Sequence, residues 1–403
     1  MSAVAVAATP RAQRVHMDAV DMVRVLTVAL VVGVHSLAIV PATAGTGAVT
    51  VMLHTSREVF FVLTAFVLIH AYGRGRVWWP TFWRRRSLVV LVPYLAWSAV
   101  YFLTGALQGQ PLVPVPQAAR TFGEQLLLGT AGYHLYFLLV SLQIYLTLPA
   151  LRALLNITRR HHALLLGASA VFQVLFSLAV QRGWPSTGLL SAWIHGPTAV
   201  LPSYLLYVVA GGVAAWHLDD LLRWTREHTT AVLAGATASL SVAVVVYTLQ
   251  IVVGHQQPSD ASAVFQPVVV AESLGVAWAF LAIGLLWTKH GQPLRRAVMT
   301  ASDASFGIYL SHPMLLQGLA AAASATGMLV ALSSAVTPLI LLGLLGVVLP
   351  VVYLTCAATT ALMRRTPLSL AFAGRPRLRH AIPRQHEAVG HASPAPAGLS
   401  VLA

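Results

Sequence analysis

Residues 18–40 read DAVDMVRVLTVALVVGVHSLAIV. Asp18, Asp21 and Arg24 open the stretch, and only Thr27, Gly33, His35 and Ser36 interrupt the apolar run that follows. About 20 mainly apolar residues suffice for a helix to cross the hydrocarbon core of a bilayer. Runs of that length recur near 51–71, 87–106, 134–151, 163–180, 199–216, 230–253, 267–288, 305–325 and 335–362. The composition agrees. Hydrophobic residues make up 57% of the 403 and charged residues 9%, whereas a soluble domain carries roughly 25% charged residues. A lipid-facing surface accounts for the deficit, because charge is costly there. The expected fold is therefore an all-α integral membrane bundle of about ten transmembrane helices.

The chain divides into a cytoplasmic N-terminal tail (1–17), a transmembrane domain (18–365) and a C-terminal tail (366–403). The last is rich in Pro, Arg and Ala and is expected to be disordered. The long connection over 107–133 carries three prolines and is expected to fold back as a loop. The lone Cys356 excludes an internal disulfide and a cysteine metal site, and no histidines have metal-ligand spacing.

The basic residues set the orientation. With the N-terminus inside, the cytoplasmic segments hold 21 of the 25 Lys and Arg residues. The outer loops hold only Arg120 and Arg182, while Arg24 and Arg57 fall at or within helices. Cytoplasmic loops retain positive charge, so both termini are expected on the cytoplasmic side. The net charge of +14 then marks a membrane face and not a nucleic-acid partner. Ala42-Thr43-Ala44 after the first run resembles a signal-peptide cleavage site. The polar residues inside that run argue for its retention, since a signal sequence does not need them.

Ionisable residues at membrane depth are rare and usually face a cavity. Arg24 and His35 are eleven residues apart, which returns to within roughly 20° of one helix face after about 16 Å of rise. An uncharged imidazole in the outer half suits a general base; a structural histidine bonded to a neighbouring helix is the plainer reading. His54 and Glu58 are four apart and expected on one face, so that either can orient His35. Arg57, beside Glu58, is expected to point elsewhere and serve another partner. Arg84, Arg85 and Arg86 form a cluster suited to phosphates, though a topology signal accounts for them too. Asp303 and Ser305 read as caps of the ninth helix. That places His312 in the inner half, as readily structural as catalytic. Glu272 is an intramembrane acid without an evident partner, and His134, His195 and His255 fall near the outer surface. Gly211 and Gly212 suit close helix packing.

Five stretches taken together resemble the bacterial acyltransferase-3 family of membrane O-acyltransferases. They are Arg24-(ten residues)-His35, Phe60-Phe61-Val62-Leu63-Thr64-Ala65-Phe66, Arg84-Arg85-Arg86 ahead of Pro93-Tyr94, His134-Leu135-Tyr136-Phe137-Leu138 with Pro149 downstream, and Ser305-Phe306-Gly307-Ile308-Tyr309-Leu310-Ser311-His312-Pro313. They stand in the family's order. Two departures are Thr64-Ala65 in place of Ser-Gly, and Val90 where a second loop arginine usually stands.

The resemblance implies an acyltransferase of the bacterial cell membrane, multi-pass. It implies acyl-CoA, acetyl-CoA above all, as co-substrate with no bound cofactor, and a hydroxyl of a glycan, glycolipid or secondary metabolite as acceptor. His35 and Arg24 are then the essential pair. On the chemistry of the residues themselves, His54, Glu58 and Arg57 are supporting residues, Arg84, Arg85 and Arg86 hold the donor phosphates, and Tyr309 and His312 are further candidates. A different class remains open on the residues alone: a transporter or flippase of a lipid-linked or small polar substrate, whose path uses the same intramembrane Arg, His and Glu. Paired broken helices and internal repeats mark many transporters, and no such repeat is visible.

Overall fold

The computed structural model describes residues 17–107, 114–334 and 336–377. Residues 1–16 of the expected N-terminal tail, and the C-terminal tail beyond 377, lie outside the described residues. Within them the chain is helical, without strands. In order it forms α1 (Asp18–Leu37), α2 (Ala44–Leu53), α3 (Ser56–Tyr72), α4 (Trp79–Leu107), α5 (Val115–Leu128) and α6 (Tyr136–Ile157). There follow α7 (His162–Gln181), α8 (Gly188–His195), α9 (Leu205–Trp216), α10 (Leu218–Glu227), α11 (Thr229–Val252) and α12 (Pro258–Ala261). The last elements are α13 (Pro267–Lys289), α14 (Arg295–Ala325), α15 (Met328–Ser334), α16 (Thr337–Leu341), α17 (Leu349–Met363) and α18 (Ser369–Ala373), with a π-helical turn over Leu342–Val348 joining α16 to α17.

Among the described residues eight helices are long and apolar enough to cross a membrane. The pair Leu201–Trp216 and Leu218–Glu227, bent by 89°, makes nine if it counts as one span. α14 has the length, at 31 residues, but Ser302, Asp303, Ser305, Ser311, His312 and Gln317 lower its apolarity. The architecture is that of a multi-pass membrane protein.

α1 lies at the centre, packed against α13, α14, α3, α17 and α2. Its first turn carries Asp18 and Asp21, whose charge suits a helix N-terminus. α3 packs most extensively on α9. Gly211 permits this, because a Cβ there would collide with the carbonyl oxygen of Val62. Bare glycine surfaces let membrane helices approach closely, as the sequence suggests for this pair.

Three helices carry internal proline: Pro93 in α4, Pro149 in α6 and Pro313 in α14. Proline removes the N–H that would bond the carbonyl four residues back, and neighbouring side chains must replace it in a membrane. For Pro149 the freed carbonyl is that of Tyr145, and the Trp83 indole N–H of α4 donates to it at 2.9 Å. For Pro313 it is that of Tyr309, and His312 Nδ1 lies 2.8 Å from it. Each substitute donor stands in or beside one of the family-like stretches of the sequence.

Three expectations are corrected. The connection over 107–133 is not simply a loop, for α5 is a 14-residue helix with an exposed Arg120–Glu124 pair at 3.1 Å. α14 begins ten residues before the expected 305, because Leu294 in a left-handed conformation starts it; Asp303 and Ser305 are mid-helix and cap nothing. The expected disordered tail does not begin at 366: Ser369 and Ala373 of α18 are buried against the bundle.

Candidate active site

α1 carries Arg24 and His35 into two different clusters. Around His35 the rings of three helices and one loop converge. The His312 ring of α14 stacks on His35 with centroids 5.3 Å apart, and Tyr133 meets it at 4.7 Å. His134 contacts His312 at 5.6 Å, Tyr309 at 5.3 Å and Tyr101 of α4 at 5.1 Å. His35 itself is partly accessible, whereas His134 and His312 are buried. His54, at the C-terminal end of α2, lies within reach of the charges of His35 and Arg57. His312 therefore sits level with His35. The early start of α14 is the reason, since it moves every residue of that helix further along its axis.

The hydrogen bonds fix what these rings can do. The carbonyls of Ile308 and Tyr309 can only accept, so His312 Nδ1 carries the proton, with contacts of 3.2 and 2.8 Å. Its Nε2 is then a bare acceptor, buried and without a partner among the described residues. Both ring nitrogens of His134 are likewise buried without a well-formed hydrogen bond among the described residues, and the Leu310 carbonyl lies close to the ring. The Tyr309 hydroxyl donates to the His134 carbonyl at 2.5 Å, and Tyr101 donates to the Leu310 carbonyl at 2.8 Å. Tyr101 thus ties α4 to the backbone of α14, and Tyr309 holds the loop that presents Tyr133 and His134.

A polar cavity of about 240 Å³ opens beside this cluster. Tyr101, Thr104, Gln125, Thr130, Tyr133 and His134 line it, with Gln317. It lies toward the C-terminal ends of α4 and α14, away from the arginine-rich loop. A buried imidazole at its wall, with no well-formed hydrogen bond of its own, is a ready group for a polar ligand. A larger apolar cleft of about 930 Å³ runs between α1, α3, α7, α9 and α13 under α10, and none of the clustered histidines lines it.

Arg57 and Glu58 pair with each other, contrary to the expectation of separate partners. Arg57 Nε and Nη2 both donate to Glu58 Oε1, at 3.0 and 2.5 Å. Side chains long enough to fold back onto each other overcome their different directions when both are buried. Arg57 also reaches the Tyr136 hydroxyl at 3.4 Å and lies over the rings of Tyr204 and Phe265, 4.9 and 4.7 Å from their centroids. Glu58 is thereby committed to Arg57 and forms no pair with His54. Glu272 is fully buried and within reach of the Glu58 charge, and both its oxygens lack hydrogen-bond partners among the described residues.

At the other end of α1, Arg24 Nη1 bonds Asp21 Oδ1 at 3.0 Å, and Ser302 of α14 donates to the same oxygen at 2.6 Å. In the arginine loop Arg84 and Arg85 are exposed. Arg86 turns inward, donating to the Tyr72 hydroxyl at 3.2 Å and lying 5.5 Å from that ring's centroid. Val90, at the position of the missing loop arginine, is buried in the core.

His195 and His255 are exposed, whereas His134 is 2% exposed. The available signal was its place beside Leu135-Tyr136-Phe137-Leu138, a stretch too apolar for a surface loop.

Searches of curated proteins and of solved structures return no match. A family model described as an acyltransferase domain, that of the acyltransferase-3 family, matches residues 17–357. That stretch holds α1, the histidine cluster and both cavities. The chain is thus a member of the acyltransferase-3 family, and a membrane acyltransferase.

Proposed function

We propose that the chain transfers an acyl group, acetyl in the first instance, from acyl-CoA to the hydroxyl of a glycan, glycolipid or secondary metabolite, with His35 as general base. In this reading it resides in the bacterial cytoplasmic membrane with both termini inside. The donor docks on the face carrying the basic loops, near Arg24 and Arg84–Arg86, where guanidinium groups suit its phosphates. Its thioester lies at the end of a long flexible arm, which suits the rise of about 16 Å along α1 from Arg24 to His35.

The acceptor enters from the opposite side through the polar cavity. His35 takes the proton of the acceptor hydroxyl, and the oxygen adds to the thioester carbonyl. The C–S bond then breaks, the ester forms, and the thiol of CoA leaves with the proton returned by His35. Attack by His35 itself, giving a transient acyl-imidazole, is the covalent variant of the same transfer.

One observation carries the reading. His35 is the partly accessible member of a buried histidine cluster that borders a polar cavity. His54 and His312 flank it as positioning residues. The test is release of CoA from labelled acetyl-CoA by purified protein, with acylation of an added acceptor. His35→Ala is expected to abolish turnover while the protein inserts and folds as before. Full activity in that variant refutes the mechanism. Substrate uptake by vesicles, with no turnover of any donor, points to the transporter reading instead.

A further inference from the structure

The family match ends at 357, yet the chain beyond it folds back onto the bundle. α18 packs against α4, α14 and α17. The Trp97 indole donates to the Phe372 carbonyl at 3.3 Å, and their rings meet at 5.8 Å. Gly374 takes φ of 62°, and a Cβ there would collide with the Phe306 ring. Ser369 donates to the Arg375 carbonyl at 2.7 Å, and Arg377 Nε donates to that of Arg365 at 2.8 Å. This turn brings Arg375 beside Arg364, and both pair with Asp303, at 2.9 and 3.7 Å. Arg24 and Asp21 lie within reach of the Arg375 charge.

Three guanidinium groups thus face two carboxylates, one of which also accepts from Ser302. The group stands at the N-terminal end of α1, the side of the basic loops. Its side chains are reachable: Arg375 is 37% exposed, Arg24 27% and Asp303 53%. Arg364 Nε is buried and has no hydrogen-bond partner among the described residues. Burial, and then Arg364 and Arg24, hold the Arg375 guanidinium below its ordinary value, against the opposing pull of Asp303 and Asp21. Among the described residues its guanidinium groups outnumber its carboxylates.

We infer that the C-terminal strap 364–377 completes, with Arg24, a phosphate-binding site at the cytoplasmic mouth of the bundle, and that its ligand is the pyrophosphate or 3′-phosphate end of the acyl donor. The inference rests on acyl-CoA being the donor. It assigns donor recognition to Arg364 and Arg375, outside the stretch shared with the family, in addition to the loop arginines. Phosphate oxygens complete the coordination of Arg364 and Arg375 and compete with Asp303 for them, so that Asp303 holds the two arginines in place while the site is empty. An anionic lipid headgroup offers the same chemistry, and the test separates the two.

The full chain is placed in phosphatidylcholine nanodiscs and titrated with CoA and with inorganic pyrophosphate. Wild type is expected to bind both. Arg364→Gln and Arg375→Gln are each expected to weaken binding by about tenfold or more, the loss of a charge-assisted hydrogen bond, and Arg375→Lys to restore part of it. In turnover they are expected to raise KM for acetyl-CoA with kcat unchanged, which marks a pure binding contact.

Three results overturn the inference: unchanged binding in both variants, lower kcat and thermal stability with KM unmoved, or loss only of co-purifying phosphatidylglycerol. Wild type binding neither probe overturns it as well, whatever turnover shows. Pyrophosphate binding that the variants lose, in a protein that turns over no acyl-CoA, sinks the donor reading and leaves the phosphate site standing.

Discussion

His312 performs two tasks that a pair of substitutions can separate. Its Nδ1–H replaces the backbone donor that Pro313 lacks, and its Nε2 stands bare beside His35. His312→Phe keeps a ring of similar size and removes both. The Tyr309 carbonyl is then buried without a donor at its Pro313 side. Hydrogen bonds in membrane bundles average about 0.6 kcal/mol, with a maximum near 1.7 kcal/mol, and an orphaned buried acceptor costs roughly 1–3 kcal/mol. A loss of about 1–2 kcal/mol is therefore expected for His312→Phe.

Pro313→Ala restores the backbone N–H four residues after Tyr309. In that background His312→Phe no longer strands the carbonyl, so its stability cost should fall by about 1 kcal/mol, a coupling that a double-mutant cycle measures directly. Turnover should stay low in both backgrounds, because Nε2 is missing in both. Equilibrium unfolding in mixed micelles and CoA release supply the two readouts. An equal stability cost in the wild-type and Pro313→Ala backgrounds refutes the account of the proline, and wild-type turnover in either His312→Phe variant refutes the role of Nε2.

Three further outcomes follow from particular contacts. Gly211→Leu should prevent accumulation of folded protein, because the added side chain meets the Val62 carbonyl at the α3–α9 contact; size-exclusion profiles report this, and a wild-type profile speaks against that contact. Trp83→Phe removes the donor to the Tyr145 carbonyl opposite Pro149 and should cost about 0.6–1.7 kcal/mol, with most of the loss relieved by Pro149→Ala. Glu58→Gln should cost about 3–5 kcal/mol by leaving the buried Arg57 charge unpaired. Replacing both by Leu and Met should cost less than either single change; a double variant worse than both singles excludes that explanation.

Much of the fold is legible in the chain because a membrane imposes its rule locally. Lipid excludes charge and unpaired backbone, so spanning helices announce themselves as apolar runs, and basic loops announce a face. α1, α4, α6, α7, α11 and α13 coincide with runs found in the sequence. α14 is harder to delimit, since buried Ser302, Ser305 and His312 face protein and so resemble a polar cap and a loop end. The strap is hidden for a related reason: a composition rich in Pro and Arg suggests disorder, but Phe372 and Gly374 find their partners in Trp97 and Phe306, far away along the chain.

The same distinction governs the site. Helical periodicity and apolar runs put Arg24 and His35 on one helix face and take the chain across the membrane many times, and its motifs are those of the acyltransferase-3 family. A helical repeat fixes direction around an axis but neither the depth of a residue nor which helix stands opposite. Packing is what brings His312 and His134 to His35, turns Glu58 to Arg57, and gives Arg24 a shared end of the bundle with Arg364 and Arg375 from the far end of the chain. Those contacts join segments distant in sequence, and their energies depend on burial that exists only once the helices have packed.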